Sequence, residues 1–289
     1  MRRLLIIDGH AYAYRAYFAI RGMGGANAVY GFINIVEKLL KSIKPAGLAV
    51  VWDGGLSGER LAILPGYKAQ RPEMPEGLRG QLDGIVEYLG AAGYCSLCRD
   101  GVEADDYIAS LARQAERAGM AVVIASADKD FMQLVSPAIG LVNPGDKSGA
   151  VWTREQVRAK AGVEPEQIVD WLSLMGDAVD NIPGVPGVGP KTAADLLGQF
   201  GAVTVMLERL AEVKSERLRA NLAENAAVIR RNVEMVRLRE DLVCDVAPGE
   251  CGMREPAREK LLELYGRWGF KGKLAALAAA GAETQQDLI

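Results

Sequence analysis

The first half of the chain alternates short apolar runs with longer amphipathic stretches, and this alternation limits the folds it can adopt. The runs, which we expect to be strands, span 4–8, 47–53, 93–98, 121–126 and 138–143. Stretches with helical periodicity lie between them, near 28–42, 78–91 and 103–118. Strands that alternate with helices predict an α/β fold in which helices wrap a parallel sheet.

Acidic residues stand where several of these runs end, and more follow in short clusters. The nine are Asp8, Asp53, Glu103, Asp105, Asp106, Asp128, Asp130, Asp177 and Asp180. Open α/β sheets gather their chemistry at the carboxyl ends of their strands. Two carboxylates about 4 Å apart repel each other by roughly 4 kcal/mol at an effective dielectric constant near 20. Because only cations can neutralise such a cluster, the sequence predicts a divalent metal centre with oxygen ligands.

Each acidic cluster also has a simpler explanation when it is taken alone. Acids at 103–106 would suit the dipole of a helix N-terminus. Those at 128 and 130 would form a turn, and those at 177 and 180 would form an Asx cap. Their joint occurrence in this order favours the metal centre.

The scarcity of other ligands narrows the choice of metal. The only histidine is His10, and the pair Cys95 and Cys98 lacks the second close pair that a zinc site requires. Structural thiols are therefore the simpler interpretation of the cysteines. Oxygen ligands favour Mg²⁺, with Mn²⁺ as the alternative. Two or more such ions could activate a water and stabilise the leaving oxygen of a phosphodiester.

The net charge of −3 does not exclude a polyanionic substrate. Removing the nine acids from 37 Asp and Glu leaves 28 against 34 Lys and Arg, a charge of +6 for the rest of the chain. A basic surface around a metal-neutralised acidic crevice would attract nucleic acid. The alternative is an ordinary acidic cytosolic protein.

Two other segments attract attention. Residues 54–78 are rich in Gly and Pro and carry Arg60, Lys68 and Arg71. Insertions of this length are usually functional or mobile, and a plain surface loop is the alternative.

The second half, from about 153, is helical in pattern and contains the turn IPGVPGVGPKTAADLLGQFG at 182–201. Its glycines and the following helix N-terminus suit a phosphate, as in a helix–hairpin–helix. A sharp turn between helices with no ligand is the alternative.

The location of the protein follows from what the sequence lacks. No apolar run reaches the ~18 residues that a membrane span needs. The start MRRLLIIDGH reaches an aspartate after a very short apolar run, which is typical of a first strand and not of a signal peptide. We therefore expect a cytoplasmic protein without membrane contact.

Several motifs together resemble one known family. They are IIDGHAYAYRAYFA, AVYGF, YKAQRPEMP, VEADD, ADKDFMQLV and LMGDAVDNIPGVPGVGPKTAADLL. Between about residues 3 and 272 the chain is similar to the 5′-nuclease module of bacterial DNA polymerase I, which belongs with the flap endonucleases. The resemblance implies a PIN-like core at 1–163 with a helical arch at 54–91. It also implies a helical DNA-binding region at 164–274, which contains a helix–three-turn–helix, and a tail at 275–289.

The resemblance also implies roles for individual residues. All nine acidic residues would be metal ligands, and Lys68 and Arg71 would contact the scissile phosphate from the base of the arch. The duplex-binding turn would use Gly184, Gly187, Gly189, Lys191 and Thr192. A monovalent cation, K⁺, would be held there by backbone carbonyls.

Three departures from the family pattern stand out. The stretch between Phe18 and Ala28 is short, which would reduce the wedge near a flap junction. Ser126-Ala127 replaces the usual Thr-Gly, a change expected to affect packing only. The sequence ends at Ile289 without a polymerase, so we expect a stand-alone monomer with a DNA polymerase acting in trans.

Taken together, these features predict a Mg²⁺-dependent 5′-3′ exonuclease and 5′-flap endonuclease. Its substrates would be DNA with 5′ ends or flaps, including RNA-primed ends, in replication and repair. A PIN-type ribonuclease is one alternative, although it has no need of the 182–201 turn. A non-catalytic scaffold that binds branched DNA is another, although it has no need of the nine carboxylates.

Overall fold

The computed structural model of the chain describes residues 2–20, 25–146 and 148–286. Its centre is a five-stranded parallel sheet with the order β3-β2-β1-β4-β5. The strands are β1 (Arg3–Asp8), β2 (Gly47–Trp52), β3 (Cys95–Cys98), β4 (Ala121–Ala125) and β5 (Ile139–Val142). Each coincides with a predicted apolar run, so the predicted α/β fold is confirmed.

Helices cover the sheet and make up most of the second half of the chain. In the described residues they are α1 (Gly9–Ala19), α2 (Asn27–Ile43), α3 (Gly58–Ile63), α4 (Glu76–Ala91), α5 (Ala104–Arg117), α6 (Arg154–Ala161), α7 (Ile168–Met175), α8 (Pro190–Phe200), α9 (Val203–Glu208), α10 (Glu216–Glu224), α11 (Ala226–Val236), α12 (Arg258–Arg267) and α13 (Lys271–Gln286). The three predicted amphipathic stretches became α2, α4 and α5. Helix α1 was not predicted, because the alternation of small and aromatic residues in GHAYAYRAYFA has no clear helical period.

The sheet is buried on both faces, as parallel sheets in α/β folds are. Along β1, Leu4 and Ile6 pack into one core with α5 and α7, while Leu5 and Ile7 pack into a second core with α1, α2 and α4. Successive residues of a strand point to opposite faces, so one short strand supplies both cores. This arrangement leaves the strand ends free for the site.

The Gly- and Pro-rich insertion after β2 is compact at its base. Ser57 accepts a hydrogen bond from the Arg60 amide and caps α3, and a series of turns follows before α4 begins at Glu76. Arg60, Tyr67 and Lys68 of this insertion are all buried. The base of the predicted arch is therefore anchored to the core.

A small hairpin interrupts the helical second half. Strands β6 (Gly176–Asp177) and β7 (Ile182–Pro183) are antiparallel and follow α7 directly. The side-chain amide of the buried Asn232, in α11, donates to the Ser173 carbonyl at 3.0 Å and to the Pro183 carbonyl at 2.8 Å. These bonds hold the hairpin against α7 and α11, and so fix the direction in which its loop points.

Two predicted segments, the short stretch after Phe18 and the tail at 275–289, lie partly outside the described residues. The short stretch after Phe18 includes residues 21–24, which lie outside the described part of the chain. The predicted tail begins inside α13, where Leu274 and Leu277 pack against the second core and the Arg258 guanidinium donates to the Leu277 carbonyl. No described helix combines the length and apolarity needed to cross a membrane.

Candidate functional site

Loops that follow β1, β2, β3 and β4 meet the loop of the β6–β7 hairpin at the carboxyl edge of the sheet. Eight of the nine predicted acids line the resulting crevice: Asp8, Asp53, Glu103, Asp105, Asp128, Asp130, Asp177 and Asp180. Six come from the α/β core and two from the hairpin. The sequence therefore predicted their convergence correctly, although nothing in it indicated how the hairpin would reach the sheet.

The carboxyl groups at the centre of the crevice hold protons more tightly than usual. Burial raises the pKa of Asp8 to about 6, although hydrogen bonds from the Ala11 amide and the Ser126 hydroxyl act in the opposite direction. Burial also raises the pKa values of Asp105, Asp128 and Asp130, and neighbouring carboxylates add to the rise. Both causes disfavour negative charge. The crevice consequently favours cations.

The chemistry of the donor set fits hard divalent ions. Asp130 has a buried Oδ1 with no hydrogen-bond partner, while its amide donates to Asp128 at 2.9 Å. Among the described residues, no three acidic, His or Cys side chains are already arranged to ligate one ion directly. Mg²⁺ keeps several waters and takes only one or two carboxylates, so water-bridged carboxylates suit it. Structural zinc sites are built mostly from nitrogen and sulfur ligands, whereas the eight acids offer only oxygen.

Cations from the insertion lie against one wall of the crevice. Lys68 Nζ contacts Glu103 directly and lies 3.9 Å from Asp105 and 4.0 Å from Asp180. Arg71 pairs with Asp180 at 2.5 Å, and its side chain is more exposed than that of Lys68. Burial acts to raise the pKa of Glu103, but the Lys68 charge outweighs it and holds that pKa below its ordinary value. Both predicted basic residues thus reach the acidic crevice.

Asp53 sits beside the only histidine. The Asp53 amide donates to His10 Nδ1 at 3.1 Å, so that nitrogen carries no proton. Burial lowers the pKa of His10, although the Asp53 charge opposes the change. His10 is therefore neutral at physiological pH and orients the backbone that carries Asp53.

Asp106 does not face the crevice. It is buried, and its two carboxylate oxygens accept hydrogen bonds from the Arg60 guanidinium at 2.7 and 2.8 Å. The Arg239 amide donates to Asp106 at 2.9 Å. Asp106, which was predicted as a metal ligand, is therefore directed away from the other eight acids, and its carboxylate pairs with Arg60 and the Arg239 amide instead.

Sequence reasoning missed three side chains in the crevice. The Tyr67 hydroxyl donates to Glu103 at 3.0 Å, and Lys129 pairs with Asp177 at 3.0 Å. Ser126 Oγ donates to Asp8 at 2.8 Å and accepts from the Asp128 amide at 3.1 Å. A serine at this position keeps the hydroxyl of the threonine that it replaces, and that hydroxyl joins two acidic loops. Tyr67 and Lys129 adjoin predicted residues, and that adjacency was the available signal.

The predicted duplex-binding turn lies between the hairpin and α8. A Cβ on Gly184 would come within 1.9 Å of the Met175 carbonyl oxygen, so this glycine permits close backbone packing. Gly187 adopts a φ of 78°, and Gly187 and Gly189 both have open space where a side chain would stand. Lys191 and Thr192 follow in the first turn of α8.

A cleft of about 390 Å³ opens beside this turn. Its lining includes Gly187, Thr192, Ser215, Arg217 and Asn221. The side-chain amide of Asn221 donates to the Pro186 carbonyl at 3.0 Å and so connects the turn to α10. The first turn of α8 therefore faces open solvent beside a guanidinium, which is an arrangement suited to an anion.

The parallel sheet with an acidic edge and an attached helical region defines a class of nuclease, and two family models identify which one. The N-terminal resolvase-like domain of 5′-3′ exonucleases matches residues 3–162, and the C-terminal SAM fold of the same exonucleases matches residues 163–259. The chain belongs to the 5′-3′ exonuclease family. It is accordingly a hydrolase of phosphodiester bonds.

Individual relatives agree with this assignment. A 5′-3′ exonuclease of Aquifex aeolicus is 38% identical over 266 residues, which is 90% of each chain. DNA polymerase I of Bacillus subtilis is 36% identical over 99% of this chain, but that match covers only 33% of the polymerase. The chain thus spans about a third of the length of its DNA polymerase I relatives.

Solved structures share the fold. The flap endonuclease D15 of bacteriophage T5, in a complex with DNA and metal ions, superposes with a TM-score of 0.69 at 22% identity, covering 96% of this chain and 100% of that one. The catalytic core of Rad2 with a DNA substrate gives 0.61 at 15% identity, covering 92% and 86%. At these identities the likeness concerns the fold alone.

Proposed function

We propose that this protein is a divalent-metal-dependent 5′-3′ exonuclease that also cuts 5′ flaps on DNA, including RNA-primed ends, in replication and repair. The observation that carries the proposal is the crevice lined by eight carboxylates, three of which lie within 4.0 Å of Lys68 and one of which pairs with Arg71. A phosphodiester that entered it would meet both a metal-binding surface and two cations.

The proposed metal ligands are the eight carboxylates of the crevice, with Mg²⁺ as the natural ion and Mn²⁺ as a substitute. Two or more ions would be needed to offset so many charges. When bound, they supply Lewis-acid stabilisation of the phosphodiester and activation of water. The T5 5′-exonuclease, which shares this fold, is known with divalent zinc bound.

The protein's own side chains then position the phosphodiester. Arg71 is exposed and can reach an incoming phosphate, whereas Lys68 is buried against Glu103. Lys68 would have to exchange this carboxylate for the phosphate as the substrate enters. In that position it would stabilise the charge that develops on the phosphate oxygens.

The proposed duplex grip is the turn at Gly184, Gly187, Gly189, Lys191 and Thr192. Its support is the exposed first turn of α8, where amide groups and Lys191 are available to phosphate oxygens. Backbone carbonyls of the same turn would hold K⁺. Binding of this kind positions a duplex without reading its sequence.

The wider setting is also part of the proposal. The DNA polymerase I relatives carry this nuclease region within a much longer chain, which favours a DNA polymerase as the functional partner. We further place the protein in the cytoplasm as a monomer, where replicating DNA is accessible to it.

One assay tests the proposal. Purified protein is incubated with a 5′-labelled flap duplex, with Mg²⁺ and with EDTA, and the product lengths are mapped. We expect cleavage near the flap junction and short products from the 5′ end, both only with Mg²⁺. A protein that left the flap duplex intact but degraded single-stranded RNA would instead be a PIN-type ribonuclease.

A further inference from the structure

The ninth acidic residue has a different environment from Asp105, which precedes it in sequence, and from Asp130. Asp106 is 3% exposed, and its three hydrogen bonds come from two Arg60 nitrogens and the Arg239 amide. In contrast, the Asp105 side chain is 24% exposed and the Asp130 Oδ1 atom has no partner. Asp106 is paired and enclosed, whereas its neighbour in sequence remains available to a ligand.

Its partner Arg60 connects three parts of the molecule. The residue belongs to α3 in the insertion, and it reaches Asp106 on α5 with both terminal nitrogens. Its Nε donates to the Met235 carbonyl and its Nη2 to the Arg237 carbonyl, each at 3.0 Å, at the end of α11. Nη1 also lies 3.4 Å from Glu103. A planar guanidinium with five fixed donors is suited to this connection, and lysine would not be.

The segment after α11 continues along α5. Ser110 donates to the Arg239 carbonyl at 2.9 Å and accepts from the Leu242 amide at 3.1 Å. Gln114 donates to the Leu242 carbonyl at 2.8 Å. Asp106, Ser110 and Gln114 are spaced four residues apart and so share one face of α5. We call residues 236–244, which they hold, the strap.

The strap joins two functional parts of the chain. At one end it leaves α11, which packs on α7 and the hairpin that carries Asp177 and Asp180. Along its length it follows α5, whose N-cap residue is Glu103 and whose first turn carries Asp105. The strap and Arg60 therefore set the position of the arch base relative to the crevice.

We propose that Asp106 and Arg60 form one positioning unit for the nuclease reaction and that Asp106 does not bind metal. The pair holds α3, α5 and the strap together, so that Glu103 and Lys68 keep their places. This inference rests on the proposed function for its link to catalysis, while its statement about metal binding does not.

The first test measures metal binding without substrate. Mn²⁺ is titrated into the full-length protein and free Mn²⁺ is read by electron paramagnetic resonance. We expect Asp105→Asn to weaken binding by ~10-fold or more, and Asp106→Asn to stay within ~3-fold of the wild type. An equal loss in the two variants would make Asp106 a ligand and overturn the proposal.

The second test asks whether the two residues act together. Single-turnover flap cleavage is compared for Asp106→Asn, Arg60→Met and the double variant, with Arg113→Met as the control, since Arg113 also contacts the strap through Glu240 but lies outside the crevice. We expect each of the first three to lose ~10- to 100-fold, and the control to stay within ~3-fold. The proposal would be contradicted if the loss of rate in the double variant equalled the product of the two single losses. It would also be contradicted if the variants folded and kept full activity.

Two further measurements keep the outcome clear. If Asp106→Asn does not fold, the double variant Arg60→Met with Asp106→Leu replaces the buried ion pair by apolar side chains and should fold. This double variant should retain wild-type Mn²⁺ affinity. A loss of that affinity would overturn the proposal. Limited proteolysis should cut within 54–71 faster in the Arg60 and Asp106 variants than in Arg113→Met, and equal rates would contradict a positioning role. A wild type that binds Mn²⁺ but cuts no flap would count against the proposed function instead.

Discussion

Lys68 combines strain with burial at the centre of the site. Its φ of 56° lies in the left-handed region, which costs a residue with a side chain about 1–3 kcal/mol. The conformation is held by the Lys68 amide, which donates to the Asp180 carbonyl at 3.0 Å, and by the contact with Glu103. Backbone strain of this kind is retained where surrounding bonds over-determine it, so the position of the Lys68 backbone is set independently of any substrate.

Replacing Lys68 with Ala should therefore affect chemistry more than binding. We expect the single-turnover rate to fall by ~10²–10³-fold, comparable to the loss of one donor that stabilises transition-state charge, with little change in the dissociation constant for DNA. The comparison variant is Lys129→Ala, because Lys129 also lies in the crevice but is half-buried and pairs with Asp177 instead of Glu103. Equal losses in the two variants would show that total charge matters and that the position of Lys68 does not.

At the scale of elements, the turn at 182–201 and the insertion at 54–91 are the two units that would handle DNA. The turn is built on backbone geometry, with Gly184 packed against Met175 and Gly187 in a left-handed conformation. The insertion is anchored at its base by Arg60, Tyr67 and Lys68. The proposed duplex grip is therefore shaped by its backbone, and the insertion extends from a base that is fixed in the core.

If the turn binds duplex phosphates, reversing the charge of Lys191 should weaken DNA binding and change its salt dependence. Lys191→Glu should weaken binding to all DNA sequences about equally and reduce the slope of log affinity against log salt by roughly one, because phosphates carry no sequence information. The control Lys41→Glu lies near the amino edge of the sheet, in the last turn of α2, and makes the same charge change. An unchanged slope in Lys191→Glu would show that the turn has no contact with phosphate.

The insertion predicts that the 5′ strand passes through it. A bulky protein adduct placed on the 5′ end of a flap before enzyme is added should slow cleavage by ~10-fold or more, whereas the same adduct on the 3′ end of the opposite strand should not. The adduct blocks threading but leaves the flap junction intact. If the 5′-blocked flap is cut as fast as the free one, residues 54–91 do not enclose the strand.

At the scale of the whole molecule, the crevice exists only in the folded state. Asp177 and Asp180 come from the hairpin in the second half, while Asp8 and Asp128 come from the ends of central strands. An unfolded chain would present these carboxylates far apart. Ions that need several of them would then bind the folded protein and not the unfolded chain, and so stabilise it.

Mg²⁺ should accordingly raise the melting temperature of protein that has been treated with EDTA. At a free concentration 100 times the dissociation constant the stabilisation is about 2.7 kcal/mol for one site, which corresponds to a rise of several degrees in a chain of this size. Differential scanning calorimetry would measure it, with Asp130→Asn as the variant in which the rise should shrink. A melting temperature that ignores Mg²⁺ would exclude a resident divalent centre.

Much of this arrangement follows from local pattern. The five strands and the helices α2, α4 and α5 were predictable because hydrophobic periodicity is a property of neighbouring residues. Acids such as Asp8 and Asp128 were predictable as a group because parallel strands end at one edge. Helix α1 was not, because its start depends on the Asp8 side chain, which accepts the Ala11 amide, more than on its own periodicity.

The sequence by itself determined the α/β sheet, the acidic edge and the glycine-rich turn, since each depends on residue type and spacing within a short stretch. Only the tertiary structure decided which carboxylates remain available. Asp105 and Asp106 are adjacent in sequence, yet Arg60 from 46 residues away pairs with Asp106 and leaves Asp105 at the crevice. A carboxylate's role depends on which donors fold against it, and that is decided by contacts between residues distant in the chain.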